Sequence, residues 1–417
     1  MSRKLDARLQ GHGTKFRLHA QPPFLEGYEI PETVWLSPPP GSIQPGPSDH
    51  RMYVIDPKEK KDFYEDPFSL PFKGPAHPPA PPCPQGHFDH HGQDSREFRA
   101  AHMYGTVRRV LDIWEDYFRG PIPWHFRQTH DRLEMIPWLD WNNAQFGWAF
   151  MEAGYGRDGQ GNRHAYALNF DVLAHEAGHG LVFSMVGIPS ERNITAEYRG
   201  FHESASDLVA VLSVLHFEKF LDRLLRKTAG NLYLENMLNR VGELSQTEEI
   251  RLASNAYRMR DCIDVRTPVE ELSYKQVHSL GEPLTGAFFD ILVEIYQNNL
   301  VRLGAIPAEL NRDSTRNSKL ALAGDRLHKQ YQDCYAQSPD LFRQALEIAR
   351  DALGYRLAEC WRQLRADHLT YGGVAKTFLT IDRRLSGNCY QNAIIESFRW
   401  REIGFGYPRS RKAHEAH

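Results

Sequence analysis

Two histidines four residues apart, with a glutamate beside the first, can assemble a hydrolytic metal centre. His175, Glu176 and His179 stand in that order. On a helix, positions i and i+4 lie one turn apart on the same face, so both imidazoles reach one tetrahedral zinc. The glutamate is then placed to take a proton from metal-bound water. A simpler alternative is a polar helix face with two satisfied histidines. The neighbouring residues count against it: Leu173, Ala174, Ala177, Leu181, Val182, Phe183 and Met185 make the segment strongly apolar. The polar trio is therefore expected in a packed interior or a cavity wall, where buried polar groups need partners. Gly178 and Gly180 are poor helix formers and leave room for a close neighbour.

A catalytic zinc takes three protein ligands. Downstream, Glu203 and Asp207 are again i and i+4, at the expected opening of a long apolar helix over residues 203–220. Glu203 is the candidate third ligand, and Asp207 can accept the spare ring N–H of a ligand histidine. His202 is a weaker ligand candidate, facing away from Asp207. An acidic first turn favoured by the helix dipole would explain the charges. It would not explain their coincidence with the upstream trio.

The trio followed by Glu203 and Asp207 resembles the thermolysin-like zinc metallopeptidases, the gluzincins. The resemblance spans about residues 96–405. The segment 142–156 resembles that family's edge strand, which pairs with the substrate backbone; Asn143 and Ala144 would be its peptide-binding residues. The segment 277–286 resembles the one whose histidine stabilises the transition state, here His278. Residues 256–258 resemble the segment whose arginine binds the substrate carbonyl, here Arg258, and Tyr198 stands for the catalytic tyrosine, though closer to Glu203 than the family pattern. Ser273 takes the position five before His278 where the family often carries an aspartate. Acid-rich calcium loops are missing: Asp171 remains, but Val214 occupies the matching position one helix later.

The resemblance implies an α+β fold of zincin type, with a mixed N-terminal lobe, a mainly helical C-terminal lobe and an active-site cleft between them. On that pattern residues 1–95 are a Pro/Gly-rich extension, 96–200 the first lobe, 201–405 the second and 406–417 a tail. It also implies Zn2+ as cofactor, peptide or protein as substrate, and endopeptidase activity. Two rivals remain. A zinc aminopeptidase would need an acidic anchor for a free amine near the edge strand, and Glu152 is the candidate. A zinc-stabilised binding module without turnover would have no use for Glu176 as a base.

Composition sets the outer bounds. The chain has 417 residues, 41% of them hydrophobic, and a formal net charge of −3. That balance supports a normal core and argues against a broad nucleic-acid surface. The start of the chain is polar and no apolar run approaches the ~20 residues needed to span a bilayer. The five cysteines, 83, 262, 334, 360 and 389, are scattered, odd in number and free of a Cys-x-x-Cys pair. Reduced thiols are expected, in a cytoplasmic protein or one exported without a Sec signal.

The proline density of residues 1–95 excludes long helices and central strands there, and predicts short strands at 33–36 and 52–55 within a segment that wraps over the rest as extended chain or is partly mobile. His87, Asp89, His90 and His91 form a cluster in this segment. A capping box from Asp94 to Glu97 opens a helix that stops at Gly120. Residues 165–170 read as a short strand before the zinc helix. Further helices are expected over 284–300, 340–353 and 391–400.

Overall fold

The computed structural model describes residues 5–59, 71–157, 161–243, 249–319 and 325–405. The expected tail from 406 onward lies outside them.

The Pro-rich segment is built around short elements that avoid its prolines: α1 (Leu5–Leu9), β1 (Thr14–Leu18), β2 (Glu32–Leu36) and β3 (Met52–Val54). β1 and β2 pair antiparallel, Thr14 opposite Leu36, and alternate buried with partly exposed residues. That alternation lays Phe16 and Leu18 onto α2 (Arg96–Phe118). Ser95, not Asp94, caps α2: its side chain accepts the Phe98 N–H, and the helix ends with Arg119 in the left-handed region.

Next come β4 (Leu133–Ile136), β5 (Ala144–Phe146), β6 (Phe150–Ala153), β7 (Tyr155–Arg157) and β8 (Arg163–Ala165). Four strands form one sheet in the order β3-β4-β6-β5; β3, β4 and β6 are parallel and β5 is antiparallel to β6. The segment before residue 95 thus supplies a strand of this sheet, and β5 is left as its edge. The strand expected over 165–170 is divided: β8 ends at Ala165, and a 3-10 turn, Tyr166–Leu168, leads to the next helix. Asn169 caps that helix by accepting the Val172 N–H, which competes with extended pairing at this point.

The remainder is mainly helical: α3 (Phe170–Met185), α4 (Ala196–Val214), α5 (Glu218–Thr228), a hairpin of β9 (Arg240–Glu243) and β10 (Glu249–Leu252), then α6 (Tyr274–Arg302), α7 (Ala308–Lys319), α8 (Asp325–Gln337), α9 (Pro339–Trp361), α10 (Tyr371–Ser386) and α11 (Gln391–Trp400). The whole is a mixed helix-and-sheet, α+β arrangement. Among the described residues no helix is long and apolar enough to cross a membrane. All five cysteines are free.

The single helix expected over 203–220 is two helices in another register. α4 starts at Ala196, where Thr195 accepts the Tyr198 N–H, so Glu203 and Asp207 lie in its middle and not in an acidic first turn. It ends at Val214, and buried arginines take the carbonyls just past that end: Arg350 binds Leu215 O at 2.9 Å and Arg109 binds His216 O at 2.8 Å. Both carboxylate oxygens of Glu32 then accept the first N–H groups of α5.

The helix expected over 284–300 begins earlier: α6 starts at Tyr274, capped by a reciprocal Ser273–Gln276 box, and Pro283 lies in its interior. Proline cannot donate to the carbonyl four residues back. Here Cys262 Sγ donates to that carbonyl, Ser279 O, at 3.3 Å, while Tyr371 and Asn255 donate to Leu280 O and Glu282 O.

Candidate metal centre

α3 and α4 pack at the distance their small residues permit. A Cβ on Gly178 would lie 2.7 Å from Ser206 Cα, and one on Gly180 would lie 2.6 Å from the Phe146 ring. One glycine therefore admits α4 and the other admits the edge strand β5. This close approach is the use that the sequence suggested for both.

The contact face of α4 carries His202, Glu203, Ser206 and Asp207 against His175 and His179 of α3. His175 donates from Nδ1 to Asp207 Oδ1 at 2.9 Å, and Thr285 supports the other Asp207 oxygen at 3.4 Å. His179 Nδ1 lies 3.0 Å from Ser206 Oγ and 2.8 Å from His202 Nδ1. Ser206 spends its own proton on His202 O at 2.9 Å, so it accepts from His179. Both histidines of α3 thus use Nδ1–H as a donor, so Nε2 is the ring nitrogen each has left for a metal. This tautomer suits a metal ligand. His202 stacks on His179 with ring centroids 4.7 Å apart and planes 9° apart, so it backs that ring. Sequence reasoning missed Ser206. It weighed His202 only as a ligand, although positions 202 and 206 repeat the one-turn spacing of 203 and 207.

Glu203 Oε2 lies 3.5 Å from His175 Nε2 and 2.9 Å from His278 Nδ1. Burial alone would raise its carboxyl pKa, but the surrounding histidines hold it well below the usual range, so it is ionised. The ligand atoms of His175, Glu176 and His179 all fall within 4.8 Å of one another. Glu176 accepts the backbone N–H of Phe146 on β5, yet burial still pushes its carboxyl up to about 7. A carboxyl poised near neutrality is suited to shuttling a proton.

Arg251, at the end of β10, is the residue that sequence reasoning did not place. Its guanidinium lies 3.1 Å from Glu203 Oε2, 3.3 Å from His175 Nε2 and 2.8 Å from His278 Nδ1, and its Nε is 3.4 Å from Asp207 Oδ1. Arg258, the arginine chosen from the sequence, is not brought to the cluster. It opens a 3-10 turn, binds Asp261 and lies over the Trp400 ring at 4.3 Å. A hairpin carries Arg251 inward, and no local spacing in the sequence announces that.

A cavity of about 380 Å³ opens on this cluster, lined by Asn143, Ala144, His175, Glu176, Arg251 and His278 among others. Asn143 precedes the β5 edge and its side chain meets the Tyr274 hydroxyl, while the Tyr274 ring stands edge-on to His278 at 4.1 Å. His278 comes from the first turns of α6. Tyr198 is buried and its hydroxyl donates to Gly187 O at 2.8 Å, so the structure does not turn it into the cavity. Glu152 is fully buried on β6, where it binds Gln145, and it does not line the cavity. Asp171 does line it. Its carboxyl is pushed up to about 7 by burial, while Gln21 and the Gly242 N–H donate to it.

The donor set fits zinc: two imidazoles whose Nδ1–H groups are engaged from behind, and an ionised carboxylate beside one of them.

No protein-family model matches the chain, and no curated protein matches it in sequence. One similar solved structure is the precursor of protealysin, a metalloproteinase from Serratia proteamaculans. It is 15% identical, over 84% of this chain and 86% of that one, with a TM-score of 0.48.

Proposed function

We propose that this chain is a zinc-dependent endopeptidase. The observation that carries the reading is the α3–α4 contact. Each histidine of the trio has its Nδ1–H engaged from behind, an ionised Glu203 stands beside His175, and a protonatable Glu176 lines the cavity with His175. His175, His179 and Glu203 would hold the metal, with Asp207 orienting His175. When bound, zinc supplies a lowered water pKa and a Lewis acid for the substrate carbonyl.

The chain's own residues do the rest. Glu176 takes the water proton and passes it to the leaving amine. His278 and Arg251 donate hydrogen bonds to the oxygen that gains charge. A peptide adds to the β5 edge at Ala144–Phe146, with Asn143 beside it, as a further strand. On this reading residues 96–200 and 201–405 face each other across the cavity as two lobes. Glu152, the amine anchor that an aminopeptidase would need, is occupied inside the sheet, and this favours internal cleavage.

Cleavage-site mapping on a library of N-acetylated and free peptides, with and without a zinc chelator, tests the proposal. Internal cuts in both sets, abolished by the chelator and restored by zinc, are expected. Cutting that ignores the chelator, or that requires a free amine, overturns it.

A further inference from the structure

The Pro-rich segment carries a second cluster remote from the cavity. Residues 83–91 have no regular secondary structure, yet they are pinned at many points. Cys83 N–H binds His87 O and Gly86 N–H binds Cys83 O, both at 2.8 Å, closing a tight turn. Gly86 has φ +80°, and a Cβ there would lie 2.2 Å from Gly41 N, so the turn also presses on a neighbouring loop. Phe88 is buried and stacks on Phe16 of β1 at 5.1 Å, and its N–H binds Lys15 O. Lys15 N–H donates to His87 Nδ1, and Arg17 donates to His91 O at 2.6 Å. The loop is therefore held in place by β1 on one side and by its own turn on the other.

That fixed loop brings three different metal-binding groups together. The Cys83 thiol, an Asp89 carboxylate oxygen and a His90 ring nitrogen all lie within 4.8 Å of one another. A second observation points the same way. His91 is 8% exposed, its ring centroid is 3.9 Å from that of His90, and its Nε2 is buried with no hydrogen-bond partner. The same ring binds the Pro81 backbone carbonyl. That bond uses Nδ1–H and leaves Nε2 a bare lone pair, the tautomer found in ligand histidines.

We propose that Cys83, Asp89 and His90 form a second zinc site, with His91 Nε2 or a water as fourth ligand. The chemistry is specific. A thiolate with imidazole favours zinc over magnesium or calcium, and a carboxylate completes a common ligand set. Zinc bonds of about 2.0–2.3 Å put ligand atoms roughly 3.3–3.8 Å apart in a tetrahedron. Side-chain rotations on the order of 1 Å reach that from the observed spread. Loss of the thiol proton accompanies binding. The site would add a side-chain clamp to the backbone hydrogen bonds that already hold this loop against β1.

The sulfur ligand makes this site separable from the first centre, whose proposed ligands are nitrogen and oxygen only. The test uses Co2+ on the full chain carrying His175→Ala and His179→Ala. One Co2+ per chain is expected, with the thiolate-to-cobalt charge-transfer band in the near ultraviolet. Adding Cys83→Ser should remove both band and ion. If the double variant does not fold, zinc content of the unaltered chain against Cys83→Ser gives the same information: two ions falling to one, with peptide turnover retained. Absence of the band in folded double variant, a band that survives Cys83→Ser, or equal zinc content in the unaltered chain and Cys83→Ser overturns the second site. The cobalt results and the change in zinc content on Cys83→Ser do not bear on the endopeptidase reading, which fails on its own if chelation leaves cleavage intact.

Discussion

Glu176 and Arg251 illustrate how neighbours decide what a side chain can do. Glu176 keeps its position through the Phe146 N–H, and burial raises its carboxyl to about 7. Glu176→Gln preserves shape and removes the base. It should keep zinc content and melting temperature while peptide turnover disappears; near-normal turnover would mean that another group activates the water. Arg251 reaches Glu203, His175, His278 and Asp207 at once. Arg251→Ala should lower kcat/KM by about 10²–10³-fold, the usual cost of removing one donor at a developing negative charge. Arg258→Ala should leave it unchanged, because Arg258 sits over Trp400. Reversal of that order in parallel kinetics would restore the arginine chosen from the sequence.

At the scale of elements, the site depends on two helices lying close. Gly→Ala in a helix ordinarily stabilises by roughly 0.5–1 kcal/mol. At Gly178 the added methyl meets Ser206 Cα at 2.7 Å, a backbone atom that cannot rotate away. Gly178→Ala should therefore lower the melting temperature and weaken zinc binding together, since α4 carries Glu203 and Asp207; a more stable variant with unchanged affinity would show slack between α3 and α4. α2 gives a pH-dependent test. His102 is fully buried and accepts His19 N–H at 2.9 Å, and burial pushes its pKa down to about 3 and that of His19 to about 4. Unfolded histidine protonates near 6.5, so the native state binds fewer protons than the unfolded state below that pH and loses stability as pH falls. His102→Gln removes one such group. Its destabilisation should shrink by about 1.4 kcal/mol per pH unit below 6.5, as measured by urea melts. A constant difference across pH would mean that His102 protonates in the folded protein.

Across the whole molecule, the Pro-rich segment is part of the fold. β3 joins the sheet that ends in β5, and Gln21 donates to Asp171 at 3.0 Å, one turn before His175. That hydrogen bond and the Gly242 N–H occupy a carboxylate that the family resemblance marked for calcium. On α5, Glu218 and Asp222 both pair with Arg343 of α9. Calcium wants six to eight oxygen ligands, usually several carboxylates. Thermal melts with excess calcium and with a calcium-selective chelator should coincide; a shift of many degrees between them would reveal a site built from other groups.

Local periodicity in the sequence was enough to place the chemistry on helices. The one-turn spacings of His175 with His179 and of Glu203 with Asp207 and the helix at 391–400 follow from short-range geometry that any helix imposes, whereas the edge strand around Ala144 was read from the family resemblance. Helix ends were less legible. Ser95, Thr195 and the arginines that close α4 act through single hydrogen bonds, some from residues more than a hundred positions away. Pro283 reads as a break because its missing N–H is local, while the Cys262, Tyr371 and Asn255 donors that let α6 continue are distant in sequence. Arg251 and Ser206 enter the cluster, and Tyr198 and Arg258 stay out of it, for the same reason. Which side chain fills a shared volume depends on how separate elements pack, and that packing is decided only when the tertiary structure forms.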